Sequence, residues 1–187
     1  MKQFFLSLVF LFSVSFVNSQ VFNGVPISGN LQTCVSNFKQ RGFTFVKYNP
    51  HGATMSGMVS NKQVELYIVV TPKSKTVCKV AIYFPKRSSW SKLYSEYIDM
   101  KDMITTKYGD PDYNVEKFNY PYELGDGFET TAISMEKCEY TTIWLERGNT
   151  NIIVEISEFL QTYIAYENKK NMDLREREEQ TINMTTF

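Results

Sequence analysis

The stretch QVELYIVVTPKSKTVCKVAIYF, residues 63–84, decides the fold. Val64, Leu66, Ile68 and Val70 alternate with Glu65, Tyr67 and Val69, the two-residue period of a strand with one buried face. Pro72-Lys73-Ser74-Lys75 is polar and turn-like. Residues 76–84 alternate again, with Cys78, Val80, Ile82 and Phe84 expected on one face, toward the core. Two such runs around a short polar turn read as an antiparallel hairpin. A sheet built from hairpins needs cover on its apolar face only.

Upstream, Leu31, Cys34, Val35 and Phe38 fall at helical spacing within residues 28–41, and Gly42 stands where a helix stops. Residues 43–48 and 54–59 read as strands, with Asn61-Lys62 as a tight turn before Gln63. Downstream the order restarts. Ser88 or Ser89 caps a helix reaching Lys107. Trp90, Leu93, Tyr97, Met100, Ile104 and Tyr108 form its apolar stripe, while Lys92, Glu96, Asp99 and Asp102 are expected to face water. Gly109 and Pro111 end it. Strands follow at 113–118, 140–145, 151–157 and 161–166. Segments 55–59, 61–62, 64–70 and 77–83 run in the same order as 142–146, 148–149, 152–157 and 163–166.

The chain therefore reads as α+β: two tandem helix-plus-four-strand units forming a mainly antiparallel sheet with helices on one face. Residues 1–19 are a signal peptide and 20–87 the first unit. Residues 88–167 are the second unit, with an insertion at 119–139, and 168–187 are a charged C-terminal helix and tail. The helix at this end, about 168–179, is expected to be solvated, because Lys169, Lys170, Asp173, Arg175, Glu176, Arg177, Glu178 and Glu179 crowd it. In the insertion, Asp126 and Glu129 resemble a capping box, so 127–135 reads as a short helix with a strand as the alternative.

Lys2, an apolar run at 4–17 broken by small serines, and Val17-Asn18-Ser19 before Gln20 make the three-part pattern of a secretory signal. The run is too short to span a membrane, which takes about 20 residues. The expectation is export, periplasmic or secreted, soluble after cleavage before Gln20, with no span thereafter. Cleavage would leave 168 of 187 residues, with 19 basic and 20 acidic side chains, net −1. Such a balance gives no electrostatic reason to hold nucleic acid.

Little in the chain announces chemistry. His51 is the one histidine and sits in the turn Tyr48-Asn49-Pro50-His51-Gly52, without partners for acid–base work. No nucleophile elbow, phosphate loop or multi-histidine zinc motif is present. Cys138 with His51 is a nucleophile pair without further support. Asp110, Asp112, Glu123, Asp126 and Glu129 are read as stops and caps rather than as a calcium loop or a glycosidase pair. Export permits a disulfide, for which Cys34 and Cys78 are the candidate pair; free thiols filling the core are the alternative. No catalytic residue, metal or cofactor is assigned. Tyr120, Tyr122 and Trp144 are the candidate binding residues, beside the open sheet face, although aromatic rings fill cores as readily as interfaces.

Four segments carry a resemblance: Phe22-Asn23-Gly24-Val25-Pro26-Ile27, Arg41-Gly42-Phe43, Lys107-Tyr108-Gly109-Asp110-Pro111, and Ile164-Ala165-Tyr166-Glu167-Asn168-Lys169-Lys170-Asn171. They resemble uncharacterised exported proteins of Gram-negative gut-type bacteria. The repeated plan also resembles the tandem β-lactamase-inhibitor-protein-like domains, which implies an open sheet face presented to a protein partner. The expectation is an exported binding or protein-interaction module without cofactor, its partner a protein or glycan of the cell envelope. The rivals are a carboxylate-dependent hydrolase acting on envelope or dietary glycan, and a structural envelope factor.

Overall fold

A computed structural model describes residues 21–185; the signal segment 1–19 and its cleavage before Gln20 lie outside them. The chain opens with a hairpin that the pattern of longer strands passed over, β1 (Val21–Phe22) and β2 (Val25–Pro26). Its two-residue loop is Asn23-Gly24, with φ of 50° and 75°. Asn-Gly suits this loop because both residues must take positive φ. Helix α1 (Leu31–Gln40) starts at Asn30, whose side chain accepts the Thr33 N–H at 2.8 Å, and buries Cys34, Val35 and Phe38.

Strands β3 (Thr44–Asn49), β4 (Gly52–Val59), β5 (Lys62–Val70) and β6 (Val77–Tyr83) then form a meander. Helix α2 (Trp90–Tyr108) follows and ends at Gly109, whose N–H makes the last helical bond, to the Thr105 carbonyl at 2.8 Å, and whose φ of 83° turns the chain out of the helix. The second unit continues with β7 (Tyr113–Phe118), α3 (Glu129–Ser134), β8 (Cys138–Trp144), β9 (Thr150–Ser157) and β10 (Gln161–Asn168). Helix α4 (Lys169–Thr185) closes the chain.

One eight-stranded sheet holds β3 to β10 in the order β3-β4-β5-β6-β10-β9-β8-β7, with every neighbour antiparallel. The last strand of one unit meets the last strand of the other, with Ile82 opposite Ile164. The strand order is therefore the same read from either edge, and the fold is the α+β sheet that the alternation implied.

A single apolar cluster fills the face beneath α1, α2 and α3. It runs from Phe38 and Cys34 of α1 through Leu66, Ile68, Val80, Ile82, Ile164 and Val154 to Leu93, Tyr97, Met100 and Ile104 of α2 and Ile133 of α3. Each such side chain contributes roughly 1.5–3 kcal/mol by leaving water. A polar chain also crosses this core: the Tyr97 and Thr142 hydroxyls hydrogen-bond each other, and Thr142 Oγ1 donates to Asn114 Oδ1 at 2.7 Å.

Four local expectations change. Glu96 does not face water; it is 2 % exposed, pairs with Lys62 at 3.1 Å and accepts two bonds from the Arg87 guanidinium. Two cations reach it from β5 and from the segment before α2, so its burial is compensated. Cys78 does not join the core. The β5–β6 register slips by one residue here, from Val69 opposite Lys79 to Val70 opposite Val77. A one-residue slip turns a side chain to the other face, and the Cys78 thiol donates to the Val69 carbonyl at 3.4 Å beside Arg175 of α4. Cys34 lies under α1 on the opposite face, so the candidate pair is not joined: Cys34, Cys78 and Cys138 are all free thiols. Finally, α4 is not simply solvated. It lies against β6 and β10 on the sheet face away from α1 and α2, where Arg175 stands beside Tyr67 and Tyr83.

Candidate functional site

The face opposite the core is built from the off-phase positions of the same strands. The pairings place Glu65, Tyr83, Tyr163 and Glu155 side by side across β5, β6, β10 and β9. The Tyr83 and Tyr163 rings stack at 5.1 Å, and Tyr67 meets Tyr83 edge-on at 5.3 Å. Each acid of the row accepts a tyrosine hydroxyl: Tyr67 donates to Glu65 at 2.7 Å and Tyr163 to Glu155 at 2.8 Å. The bond to Glu65, with burial added, pushes the Tyr67 hydroxyl up to about 12. Burial raises Tyr163 further and raises Glu155 above the usual carboxylate range, while the Tyr163 hydroxyl and Lys79 pull Glu155 back. These hydroxyls are donors at neutral pH, and they rigidify the floor.

Above this floor lies an open groove of about 470 Å³. Tyr67, Tyr83 and Ala81 line its base, Phe159 of the β9–β10 turn stands at one wall, and Arg175 of α4 stands at another. Its cations are balanced, Lys79 by Glu167 at 2.9 Å and Arg175 by Glu179 at 2.7 Å. The strands beneath are interior, so their backbone groups are committed to the ladder. A ligand here would be recognised by side chains alone.

The connection between β7 and β8, residues 119–137, makes a second surface. Asp126 Oδ1 accepts the Phe128 N–H at 2.7 Å and its Oδ2 the Glu123 N–H at 2.9 Å. Glu129 reaches back to the Gly125 N–H at 2.9 Å. The expected capping box does not form: Phe128 precedes α3 without a side-chain cap, and Asp126 and Glu129 instead clip the loop before the helix. The Tyr122 hydroxyl adds a contact to Met135 Sδ at 3.1 Å. The loop is clipped by polar bonds, yet it leaves large apolar groups in water: Tyr120 is 92 % exposed, Leu124 66 %, Phe128 60 % and Met135 58 %. Glu123, Asp126, Glu129 and Glu136 lie in the same segment, against Lys137.

The remaining sequence candidates fall into place separately. Tyr120 projects, Tyr122 is half-buried, and Trp144 is fully buried in the core with its Nε1–H donating to the Gly109 carbonyl at 2.8 Å. Trp144 is therefore an anchor for the end of α2 and presents no binding surface. His51 is exposed in the β3–β4 turn, where its N–H donates to Asn49 Oδ1 at 2.9 Å. Cys138 lies on β8 near the other edge of the sheet, so the two form no pair. Asp112 accepts the Leu145 N–H at 2.7 Å and pairs with Arg147 at 3.2 Å, which is structural work. Among the described residues, no cluster of three or more His, Cys, Asp or Glu is placed to hold a metal. No helix among them is long and apolar enough to cross a membrane.

The tyrosine floor was overlooked by sequence reasoning, although its signal was present. Tyr67, Tyr83 and Tyr163 occupy the polar phase of three alternating strands, where a solvated face would carry short or charged side chains. Comparison with protein-family models, with curated proteins and with solved structures finds no match for this chain.

Proposed function

We propose that this chain is an exported binding module, acting without a cofactor, which engages a protein partner through the apolar knob of residues 119–137. The observation that carries this is the combination of exposure and rigidity at Tyr120, Leu124, Phe128 and Met135. Apolar groups clustered on a monomer's surface mark interaction sites. A loop already held by its own hydrogen bonds loses little entropy when it docks. The acids around the rings favour a partner whose apolar pocket has a basic rim. The tyrosine-floored sheet face is a second surface of the same module, in keeping with the sheet-face use implied by the β-lactamase-inhibitor-like plan.

The hydrolase reading is less favoured. Glycosidases flank the scissile bond with two carboxylates. Glu65 is the acid among the residues lining the groove, and its oxygen accepts the Tyr67 hydroxyl. Asp112, Asp126 and Glu129 hold backbone N–H groups. The envelope-factor reading makes no demand on the knob.

The test is capture of partners from envelope extract by the chain without residues 1–19, in parallel with the Tyr120→Ala/Tyr122→Ala and Phe128→Ala variants. The expected result is a partner held by the parent chain and lost by both variants, with unchanged circular dichroism. Retention of every partner by both variants would defeat the reading, as would unfolding of the double variant, which would put those rings in the core.

A further inference from the structure

Helix α4 is held to the sheet in an unusual way. Its first turn continues from β10 without a loop, and Asn168 Oδ1 accepts the Asn171 N–H at 3.1 Å. From there its grip is polar. Asn171 Nδ2 donates to the Val77 carbonyl at 2.7 Å. Lys169 pairs with Glu146 on the β8–β9 connection. The Glu178 carboxylate sits in the β5–β6 turn and accepts the Lys73 N–H at 2.6 Å and the Ser74 N–H at 3.2 Å. Met172 and Leu174 are only half-buried; among the described residues of α4 the buried side chain is Glu178, 9 % exposed. Helices α1 and α2 bury apolar stripes instead. Polar anchors exchange with water at small net cost, whereas an apolar stripe does not.

What α4 covers matters. Arg175 forms a wall of the tyrosine-floored groove, and its guanidinium lies against the Cys78 thiol, which is fully buried on that face. We propose that α4 is a releasable strap, pinned by Glu178 in the β5–β6 turn, and that its release removes the Arg175 wall of the groove and uncovers Cys78. The strap opens as a local unit while the eight-stranded sheet stays intact, in the manner of sub-global opening. This inference stands on the anchors alone and is independent of the partner reading of the knob.

The experiment is site-resolved alkylation of the full chain by N-ethylmaleimide near neutral pH, read by peptide mass spectrometry. Cys34, buried beneath α1 on the other face, reports global opening. Glu178→Gln keeps the shape and removes the charge that strengthens its backbone bonds; Asn171→Ala removes the second anchor. Asp173→Asn, on an exposed position of the same helix, is the control. Cys78 should react about tenfold faster, or more, in Glu178→Gln, the scale set by weakening charge-assisted hydrogen bonds. Asn171→Ala should move it in the same direction, with Cys34 and the control unchanged. Unaltered Cys78 reactivity in both variants would overturn the strap. So would Cys34 accelerating in step with Cys78, because the whole fold would then be opening.

Discussion

Between β3 and β4 the chain turns through Pro50 and His51; between β7 and β8 the equivalent connection runs through residues 119–137. The short turn leads straight into the sheet. A Cβ on Gly52 would stand 1.8 Å from the Ile68 carbonyl oxygen, so β4 presses against β5 from its first residue. The long connection is tied down by its own polar clips and leaves its rings in water. One plan used twice has thus kept a bare turn at one sheet edge and grown a projecting surface at the other. The sheet needs neither Tyr120 nor Leu124, and for that reason the knob is where function is sought.

The sharpest way to break the comparison is to ask whether the units fold apart. Leu66→Ala in β5 and Leu93→Ala in α2 should each cost about 2–5 kcal/mol, since both side chains are fully buried in one cluster. Both tryptophans, Trp90 and Trp144, lie in the second unit. If the core is continuous, their fluorescence will report the first-unit variant as a shift of a single urea transition. Two transitions, with the tryptophan signal blind to Leu66→Ala, would divide the protein into independent halves.

The next effect contrasts two acids on one helix. Glu96→Gln should cost about 1–3 kcal/mol, because Arg87 and Lys62 lose the charge they converge on, although both remain partly in water. Asp102→Asn, on the exposed side, should change stability by less than about 0.5 kcal/mol. Equal urea midpoints for the two variants would remove the ion cluster from the account of how α2 is seated. Within the insertion unit, Trp144→Phe should cost about 1–2 kcal/mol by leaving the Gly109 carbonyl without its donor. Tyr120→Ala should fall within about 0.5 kcal/mol of the parent in the same urea titration.

Alternation and glycine stops made most of the sheet legible. Val64 to Val70 and the 161–166 run lie where their two-residue period put them, and Gly42 and Gly109 follow the helices they were expected to end. What escaped was whatever depended on partners distant in sequence. Nothing near Cys78 announces the bulge that turns it to the other face, because a register slip is set by two strands together. Glu96 looks solvated until Lys62 and Arg87 are brought to it. The charged run 169–179 hides a docked helix, since its anchor points are backbone groups of a turn about a hundred residues away. For the candidate site, Tyr120 was legible as a loop ring. Trp144 was not placed, because a tryptophan on a strand near a sheet edge fits either face.

The smallest expected effect is a pair of opposite pH slopes from two glutamates of the outer face. Glu155 is raised above its ordinary value near 4.5, chiefly by burial, so the folded chain holds this proton more tightly than the unfolded one. Stability associated with Glu155 is present at acid pH and is lost as pH rises from the ordinary glutamate range through the folded value. Glu155→Gln cannot ionise, and its amide oxygen still accepts the Tyr163 hydroxyl. Its melting temperature should therefore gain on the parent's as pH climbs from about 4.5 toward neutrality. Glu178 is lowered, first by the Ser74 hydroxyl and then by the backbone bonds of the turn. Its contribution is present above the ordinary range and is lost as pH falls through the folded value. Glu178→Gln should fall behind the parent at neutral pH and converge with it in acid. The divergence of these two difference curves with rising pH, followed by calorimetry over one pH series, is the decisive feature. Parallel curves would mean that the tyrosine floor and the β5–β6 turn treat their carboxylates alike, and the contrast drawn between a buried floor acid and a hydrogen-bonded strap anchor would fail.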